Sequence, residues 1–169
     1  LILNHENRIL TMKKYNLPGE RTMNELISVI ITTYNREDLL ERAIRSVLAQ
    51  TYPVVELIIV DDCSNEKTAQ LIESMRAECE ARVVYFTYER NETNSGSNFS
   101  RNRGYALSHG VFVTGLDDDD YFLPERLSKL VSRYDENYAF VTDTITRLDK
   151  TDRKYQDRND KKIINRSKA

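Results

Sequence analysis

The sequence predicts an α/β fold, a three-layer α/β/α sandwich built on a mostly parallel sheet. Three observations carry that expectation. Short apolar, β-branched runs alternate with stretches of helical periodicity between residues 27 and 146. The first of those runs, Ile27 to Thr33, is β-branched and does not alternate, as in a strand covered on both faces. The stretches between them are long enough for the right-handed helical crossovers that parallel strands require.

The first such run is Ile27 to Thr33. Asn35 follows as an N-cap candidate, and Leu39, Leu40, Ala43, Ile44, Val47 and Leu48 then mark one face of a helix. Pro53 closes that unit, and Val55 to Val60 reads as a second buried strand. Leu71, Ile72, Met75 and Cys79 repeat with helical spacing, and Arg82 to Tyr88 reads as a third strand. A polar loop with Asn94 and Gly96 leads into a weaker helix from Phe99 to Ser108. Val111 to Leu116 is the fourth expected strand. Pro124 suits the first position of a helix whose apolar face is Leu127, Leu130, Val131 and Tyr134. Tyr138 to Thr146 is the fifth expected strand.

Composition bounds what such a chain does. At 169 residues it holds one domain of ordinary size and buries roughly 70% of its unfolded surface, so it needs no disulfide or metal staple. With 40% hydrophobic and 31% charged residues it is neither collagen-like nor wholly disordered. No stretch approaches the roughly 20 apolar residues of a membrane span, and no signal-peptide pattern is read at its start. Two cysteines and two histidines make neither a disulfide scaffold nor a zinc set, so a reducing cytosol is the expected compartment. A net charge of −2 argues against a general nucleic-acid binder.

The charge is unevenly spread. From Arg147 to Ala169, nine Lys or Arg against four Asp leave +5, so the other 146 residues carry −7. This basic tail, 147–169, has too few apolar residues for a core face of its own. It is read as a solvated segment, or as a surface for lipid headgroups and peripheral contact with the inner face of a membrane. Residues 1–26 read as an N-terminal extension with one apolar group, Leu1 to Leu3, and a Pro18-Gly19 turn. Residues 27–146 are the domain proper.

Open α/β sheets bind ligands at the carboxyl ends of their strands. Those ends here carry Thr32-Thr33-Tyr34-Asn35, Asp61-Asp62 and Asp117-Asp118-Asp119-Asp120. No G-x-G-x-x-G follows the first strand and no phosphate-binding P-loop exists, so neither a dinucleotide fold nor a P-loop enzyme fits. With five Gly in the chain, a bound phosphate needs a cation to bridge it to these carboxylates. Mg²⁺ or Mn²⁺ suits that task, taking one or two carboxylates and filling its shell with phosphate oxygens and water.

Each cluster also has a plain reading. Four successive Asp make an ordinary solvated loop that favours the helix after it. An EF-hand is excluded, because Phe122 stands where Gly is needed and Ser128 where Glu is needed. Asp61 to Ser64 could simply cap the second helix, and Tyr34 could be a half-buried packing residue. His109 suits a helix C-terminus, and Cys63 beside two carboxylates is not expected to be a thiolate nucleophile. Three polar clusters on one sheet edge favour a site over three unrelated causes.

The residues resemble a known family. Ser28 to Arg36 (SVIITTYNR), Ala43 to Tyr52 (AIRSVLAQTY) and Glu56 to Ser64 (ELIIVDDCS) are similar to family-2 glycosyltransferases of the GT-A fold. Asn94-Ser-Gly96, Arg101-Asn102-x-Gly104 and Leu116 to Leu127 (LDDDDYFLPERL) extend the match, in order and at the right spacing. The resemblance implies transfer of a sugar from a nucleotide-diphosphate donor, a UDP-sugar by preference, to a sugar or lipid-linked acceptor, with inversion and a divalent metal. It implies cell-surface polysaccharide synthesis as the setting. Thr32 and Tyr34 would meet the nucleobase, Tyr34 by stacking, and Asp62 would accept from a base N–H. Arg101 would lie near the diphosphate or base. The acidic loop matches the family's D-x-D motif in two registers, 117/119 or 118/120. Leu116 and Pro124 favour Asp117 and Asp119 as metal ligands, with Asp117 and Asp118 near ribose or donor sugar.

The resemblance further implies that the family's general base lies beyond Ala169. Asp143, the only carboxylate in the fifth expected strand, does not match the base position. The chain is therefore read as the nucleotide-sugar half of a transferase. The alternative is a non-catalytic module that keeps the donor fold. A nucleotidyltransferase is disfavoured because its Gly-rich N-terminal loop is missing, and a receiver domain because its acidic pair should follow strand one.

Overall fold

The computed structural model describes residues 11–12, 25–135, 141, 147–148 and 154–155. In chain order the elements are β1 (Thr11–Met12), β2 (Ile27–Thr33), α1 (Glu37–Leu48), β3 (Val55–Asp61) and α2 (Glu66–Arg82). They continue with β4 (Tyr85–Arg90), α3 (Ser97–Leu107), β5 (Phe112–Asp117), α4 (Arg126–Ser132), β6 (Arg147–Leu148) and β7 (Lys154–Tyr155). Apart from Val141, the fifth expected strand lies outside the described residues, and so does Asp143.

The five-stranded sheet has the order β1-β5-β2-β3-β4. Strands β5, β2, β3 and β4 run parallel, and the two-residue β1 pairs antiparallel with β5. The separate β6-β7 pair is antiparallel. The chain thus winds outward from β2 to β4, then crosses back through α3 to place β5 on the other side of β2. That reversal is the topological switch point, where doubly wound folds open a crevice. Register makes the strand ends level there, because Thr32 pairs with Asp117 and Thr33 with Asp61.

Every residue of β2 and β3 is buried, the apolar ones in the core and Ser28, Glu56 and Asp61 in hydrogen bonds. Helices α1, α2 and α4 cover one face through Leu40, Ile44, Ile72, Met75, Leu127 and Leu130. Removing each such side chain from water stabilises the fold by about 1.5–3 kcal/mol. On the other face, Ile30, Ile58, Val60 and Val113 meet Tyr105 and Leu107 of the α3 crossover. Helix α3 lies directly on β2, where a Cβ on Gly104 would come within 2.4 Å of Ile30 Cγ2. Only glycine permits that approach.

Three local expectations are corrected. Asn35 does not cap α1; it has φ +53°, and Arg36 occupies the cap position without a side-chain cap bond. The acidic first turn, Glu37 and Asp38, suits the helix dipole instead. The third strand starts at Tyr85, because α2 runs on to Arg82 and Val83 N closes its last turn onto Cys79 O at 3.0 Å. Pro124 precedes α4 by two residues, and its carbonyl accepts Thr51 N at 2.9 Å. His109 stands two residues past α3, with Nδ1 2.7 Å from Oε1 of the fully buried Glu56. The hydroxyl of Ser28 and His109 N also donate to Glu56 Oε2, so this buried carboxylate is hydrogen-bonded on both oxygens.

Candidate active site

The end of β2 builds one wall of the crevice. Thr33 Oγ1 donates to Asp118 Oδ2 at 2.9 Å, tying this strand end to the acidic loop. Tyr34 follows as the chain leaves the sheet, 46% exposed, with its ring available to a planar ligand. Asn35 tolerates its left-handed backbone because its short polar side chain bonds locally. Its Oδ1 accepts Asn65 N at 2.7 Å and its N donates to Ser64 Oγ at 2.9 Å, which joins the loops after β2 and β3.

The two Asp after β3 divide their work. Asp61 is fully buried and shapes the turn: Oδ1 accepts Ser64 N at 2.7 Å and Oδ2 accepts the Tyr88 hydroxyl at 3.0 Å. Burial, then the charge of Asp61 and its bond, push the Tyr88 phenol up to about 12. The turn holds Cys63 at φ +68°, and Asn65, not an Asp, caps α2 through Lys67 N and Thr68 N. Asp62 lines the crevice. Its Oδ1 accepts Asn91 Nδ2 at 2.7 Å and Ser95 N at 2.9 Å, and its Oδ2 accepts Gly96 N at 2.7 Å. Burial alone would raise the Asp62 carboxyl, but the donors at Ser95, Asn91, Gly96 and Ser100 outweigh it and hold it below the usual carboxylate range. Gly96, at φ +87°, gives the backbone the turn that aims this N–H.

The acidic loop closes the opposite wall. Asp117, Asp119 and Asp120 each bring one carboxylate oxygen to within 4.8 Å of the others. Asp118 turns away from this triplet, 5% exposed, into bonds from Thr33 and Arg36. Two guanidiniums pair with the loop's carboxylates: Arg101 Nη2 lies 2.8 Å from Asp117 Oδ1, and Arg36 Nη1 bridges Asp118 and Asp119. Asp118 first, then Asp119, raise the Arg36 pKa still further, so that guanidinium stays charged. Arg42 Nη2 donates to Asp119 O at 2.6 Å and fixes the loop's backbone.

These walls enclose a cleft of about 320 Å³ lined by Thr32, Tyr34, Arg36, Asp62, Arg101 and Asp117 to Asp119, among others. The residues expected from the sequence therefore converge on one volume. Arg36 and Ser100 also line the cleft, and Asn91, held by Arg103, supports Asp62; local spacing marks none of these four residues. Chemically, the cleft offers an exposed aromatic ring, an acceptor carboxylate, two arginines and two carboxylates of a hard oxygen triplet. That set suits a planar heterocycle with an anionic tail and a divalent cation.

A family model for glycosyl transferase family 2 matches residues 28–168. The chain belongs to that family. Among curated family-2 relatives, it is 46% identical over 120 residues to the putative colanic acid biosynthesis glycosyl transferase WcaA of Escherichia coli K12. That match covers 70% of this chain and 42% of the relative. It is 37% identical over 115 residues to a Campylobacter jejuni GalNAc(5)-diNAcBac-PP-undecaprenol beta-1,3-glucosyltransferase, covering 68% and 36%. The chain thus spans less than half the length of these relatives. Among solved structures, S. aureus TarS 1-349 in complex with UDP superposes with a TM-score of 0.56 at 33% identity, over 63% of this chain and 31% of that one. The mannosyltransferase PcManGT of Pyrobaculum calidifontis, solved with GDP-Man and Mn2+, shares the fold at a TM-score of 0.63 and 21% identity, over 68% and 34%. The α/β sandwich of this family-2 chain is accordingly of GT-A type. No described helix is long and apolar enough to cross a membrane.

Proposed function

We propose that this chain is the donor-binding part of a metal-dependent, inverting glycosyltransferase. It takes a sugar from a nucleoside diphosphate, a UDP-sugar by preference, for a sugar or lipid-linked acceptor in surface-polysaccharide synthesis. The observation that carries this reading is the meeting of Tyr34, Asp62, Arg101, Asp117 and Asp119 in one cleft at the sheet's switch point, with Asp120 gathered beside the two ligand candidates. The names of the curated relatives, which include colanic acid and undecaprenol-linked glycan enzymes, support the pathway class. The +5 tail suits an anionic membrane surface, and with it a cytoplasmic place near a lipid-linked acceptor.

The donor set fits a hard divalent ion, because all three ligand candidates are carboxylate oxygens already gathered within 4.8 Å. Asp117 and Asp119, with Asp120 beside them, would hold Mg²⁺ or Mn²⁺, which supplies positive charge against a departing diphosphate. The chain's own residues do the rest of the recognition. Tyr34 stacks on the base and Thr32 borders it. Asp62 accepts a base N–H. Arg101, positioned by Asp117, meets the diphosphate or base, and Asp118, held by Thr33 and Arg36, fixes the loop on which the donor's ribose and sugar rest.

Thermal unfolding against UDP, GDP and dTDP, each with Mn²⁺ and with chelator, tests the reading. Stabilisation by a nucleoside diphosphate with Mn²⁺, lost in chelator, is the expected result. No stabilisation by any of the three would overturn it.

A further inference from the structure

Asn91 follows β4 directly, is only 3% exposed, and joins Asp62 to α3. Its Nδ2 donates to Asp62 Oδ1 at 2.7 Å and to Ser100 Oγ at 2.9 Å. Its Oδ1 accepts Arg103 Nη1 at 2.7 Å, and its backbone N donates to Asp61 O at 2.8 Å. Arg103 is itself anchored by Glu89 and by the Arg90 carbonyl. The amide can sit only one way round. A guanidinium donates and never accepts, whereas a carboxylate accepts, so the Asn91 carbonyl must face Arg103 and its NH₂ must face Asp62. The relay from Arg103 through Asn91 to Asp62 therefore has a fixed polarity.

That polarity reaches the cleft. Asn91 Nδ2, Ser95 N and Gly96 N occupy three of the roughly four lone-pair sites of the Asp62 carboxylate, with the Ser100 hydroxyl close beside it. The remaining capacity belongs to a side chain that lines the cleft. Two of those donors are backbone N–H groups, which no substitution at position 91 removes. The Asn91 amide is a side-chain donor that substitution can change, and it also holds the Ser100 hydroxyl beside Asp62.

We propose that Asn91, oriented by Arg103, is a positioning residue that sets base selectivity by keeping Asp62 an acceptor-only carboxylate. The cleft then takes nucleobases whose ring nitrogen carries a hydrogen at the contacting edge, as in uracil, and rejects those whose ring nitrogen is bare, as in cytosine. The lowered pKa of Asp62 agrees with this, since a protonated Asp62 would donate and lose the distinction. The inference rests on the reading that Asp62 meets the base, and it assigns the control of that contact to Asn91 and Arg103.

Calorimetry of UDP and CDP, each with Mn²⁺, on wild type, Asp62→Asn, Asn91→Leu and Arg103→Met tests it. The two bases have rings of one size, so their affinity ratio isolates the edge contact. Wild type should favour UDP by about 30-fold, within the range of a hydrogen bond to a charged group. Asn91→Leu should cut that ratio by about tenfold and Arg103→Met by about threefold, with Mn²⁺ affinity unchanged in both. Arg103 is partly exposed and leaves the core intact, so it carries the test if Asn91→Leu does not fold. If wild type discriminates, Asp62→Asn abolishes discrimination, and both relay variants keep the wild-type ratio, the relay is wrong while the role of Asp62 stands. If wild type shows no preference, or Asp62→Asn leaves it intact, the base-contact reading itself fails and takes the relay with it.

Discussion

Arg36 Nη1 lies 3.1 Å from Asp118 Oδ1 and 3.0 Å from Asp119 Oδ2, so one guanidinium clasps two consecutive carboxylates of the acidic loop. It reaches across from the cap of α1, 83 residues away from Asp119. Asp118 is buried, but Asp119 and Arg36 are half exposed, so the outer half of this clasp is a weak, solvent-screened pair. Asp119 is also a proposed metal ligand. A divalent ion and Arg36 therefore compete for the same oxygen-bearing group.

Arg36→Gln should consequently bind Mn²⁺ more tightly than wild type when no nucleotide is present. The gain should be about two- to fivefold, the worth of an exposed ion pair. Titration followed by Mn²⁺ electron paramagnetic resonance measures it. Weaker binding in the variant would mean that Arg36 organises the loop for the metal and does not oppose it.

Tyr34→Ala should weaken UDP binding by roughly 1–3 kcal/mol, taking stacking on a free nucleotide as similar to stacking on single strands. Because the ring is nearly half exposed, the melting temperature without ligand should hardly move. Calorimetry and thermal unfolding on the same sample separate the two effects. A large drop in stability with unchanged affinity would make Tyr34 a packing residue.

Asp62→Asn should lower stability at pH 7 by about 1–3 kcal/mol, because an amide NH₂ then faces the N–H donors of Ser95, Gly96 or Asn91. The sign with pH follows from the depressed folded pKa of Asp62. Its stabilising contribution is complete above the ordinary carboxylate value of about 3.9 and fades as pH falls through the lower folded value. The gap between wild type and variant should therefore narrow below about pH 4. Urea unfolding at a series of pH values checks this, and a gap that widens on acidification would contradict it.

Gly104→Ala should destabilise the fold by about 1–3 kcal/mol through overpacking, since its Cβ would meet Ile30 Cγ2 at 2.4 Å. Ile30 is β-branched and buried between α3 and the sheet, so it has little room to yield. A melting temperature equal to wild type would show that α3 can lift off β2 at no cost.

Where local pattern and tertiary role coincide, the fold was legible from residues alone. Ile27 to Thr33 reads as a doubly covered strand because no position tolerates water, and all seven residues are buried. Leu39 shows the limit: it belongs to the apolar stripe of α1 by spacing, yet lies at the stripe's margin and stays 37% exposed. Asn35 suits a helix cap and a left-handed turn equally well, and Asn65, 30 residues away, settles the choice. Val83 and Val84 look like strand residues, but Val83 is consumed in closing α2.

The candidate site follows the same division. Tyr34, Asp62 and the Asp run stood out because a doubly wound sheet collects ligand groups at its strand ends. Arg36 and Asn91 carried no such mark. Their bonds span 82 residues to Asp118 and 29 residues to Asp62, distances over which local spacing has nothing to say. The same holds for the turn of Asp118 away from the triplet. Four identical residues in a row cannot disclose which one Thr33 and Arg36 will draw inward.

The most direct measurement is UDP binding to wild type and Asp119→Ala, each with Mn²⁺ and with chelator, read as thermal stabilisation. At 100 times its dissociation constant a ligand adds about 2.7 kcal/mol, or roughly 5–11 °C in melting temperature for a chain of this size. Wild type with Mn²⁺ should show that shift, while chelator and Asp119→Ala should each abolish it. An equal shift in chelator, or an undiminished one in Asp119→Ala, would contradict the metal-bridged donor site.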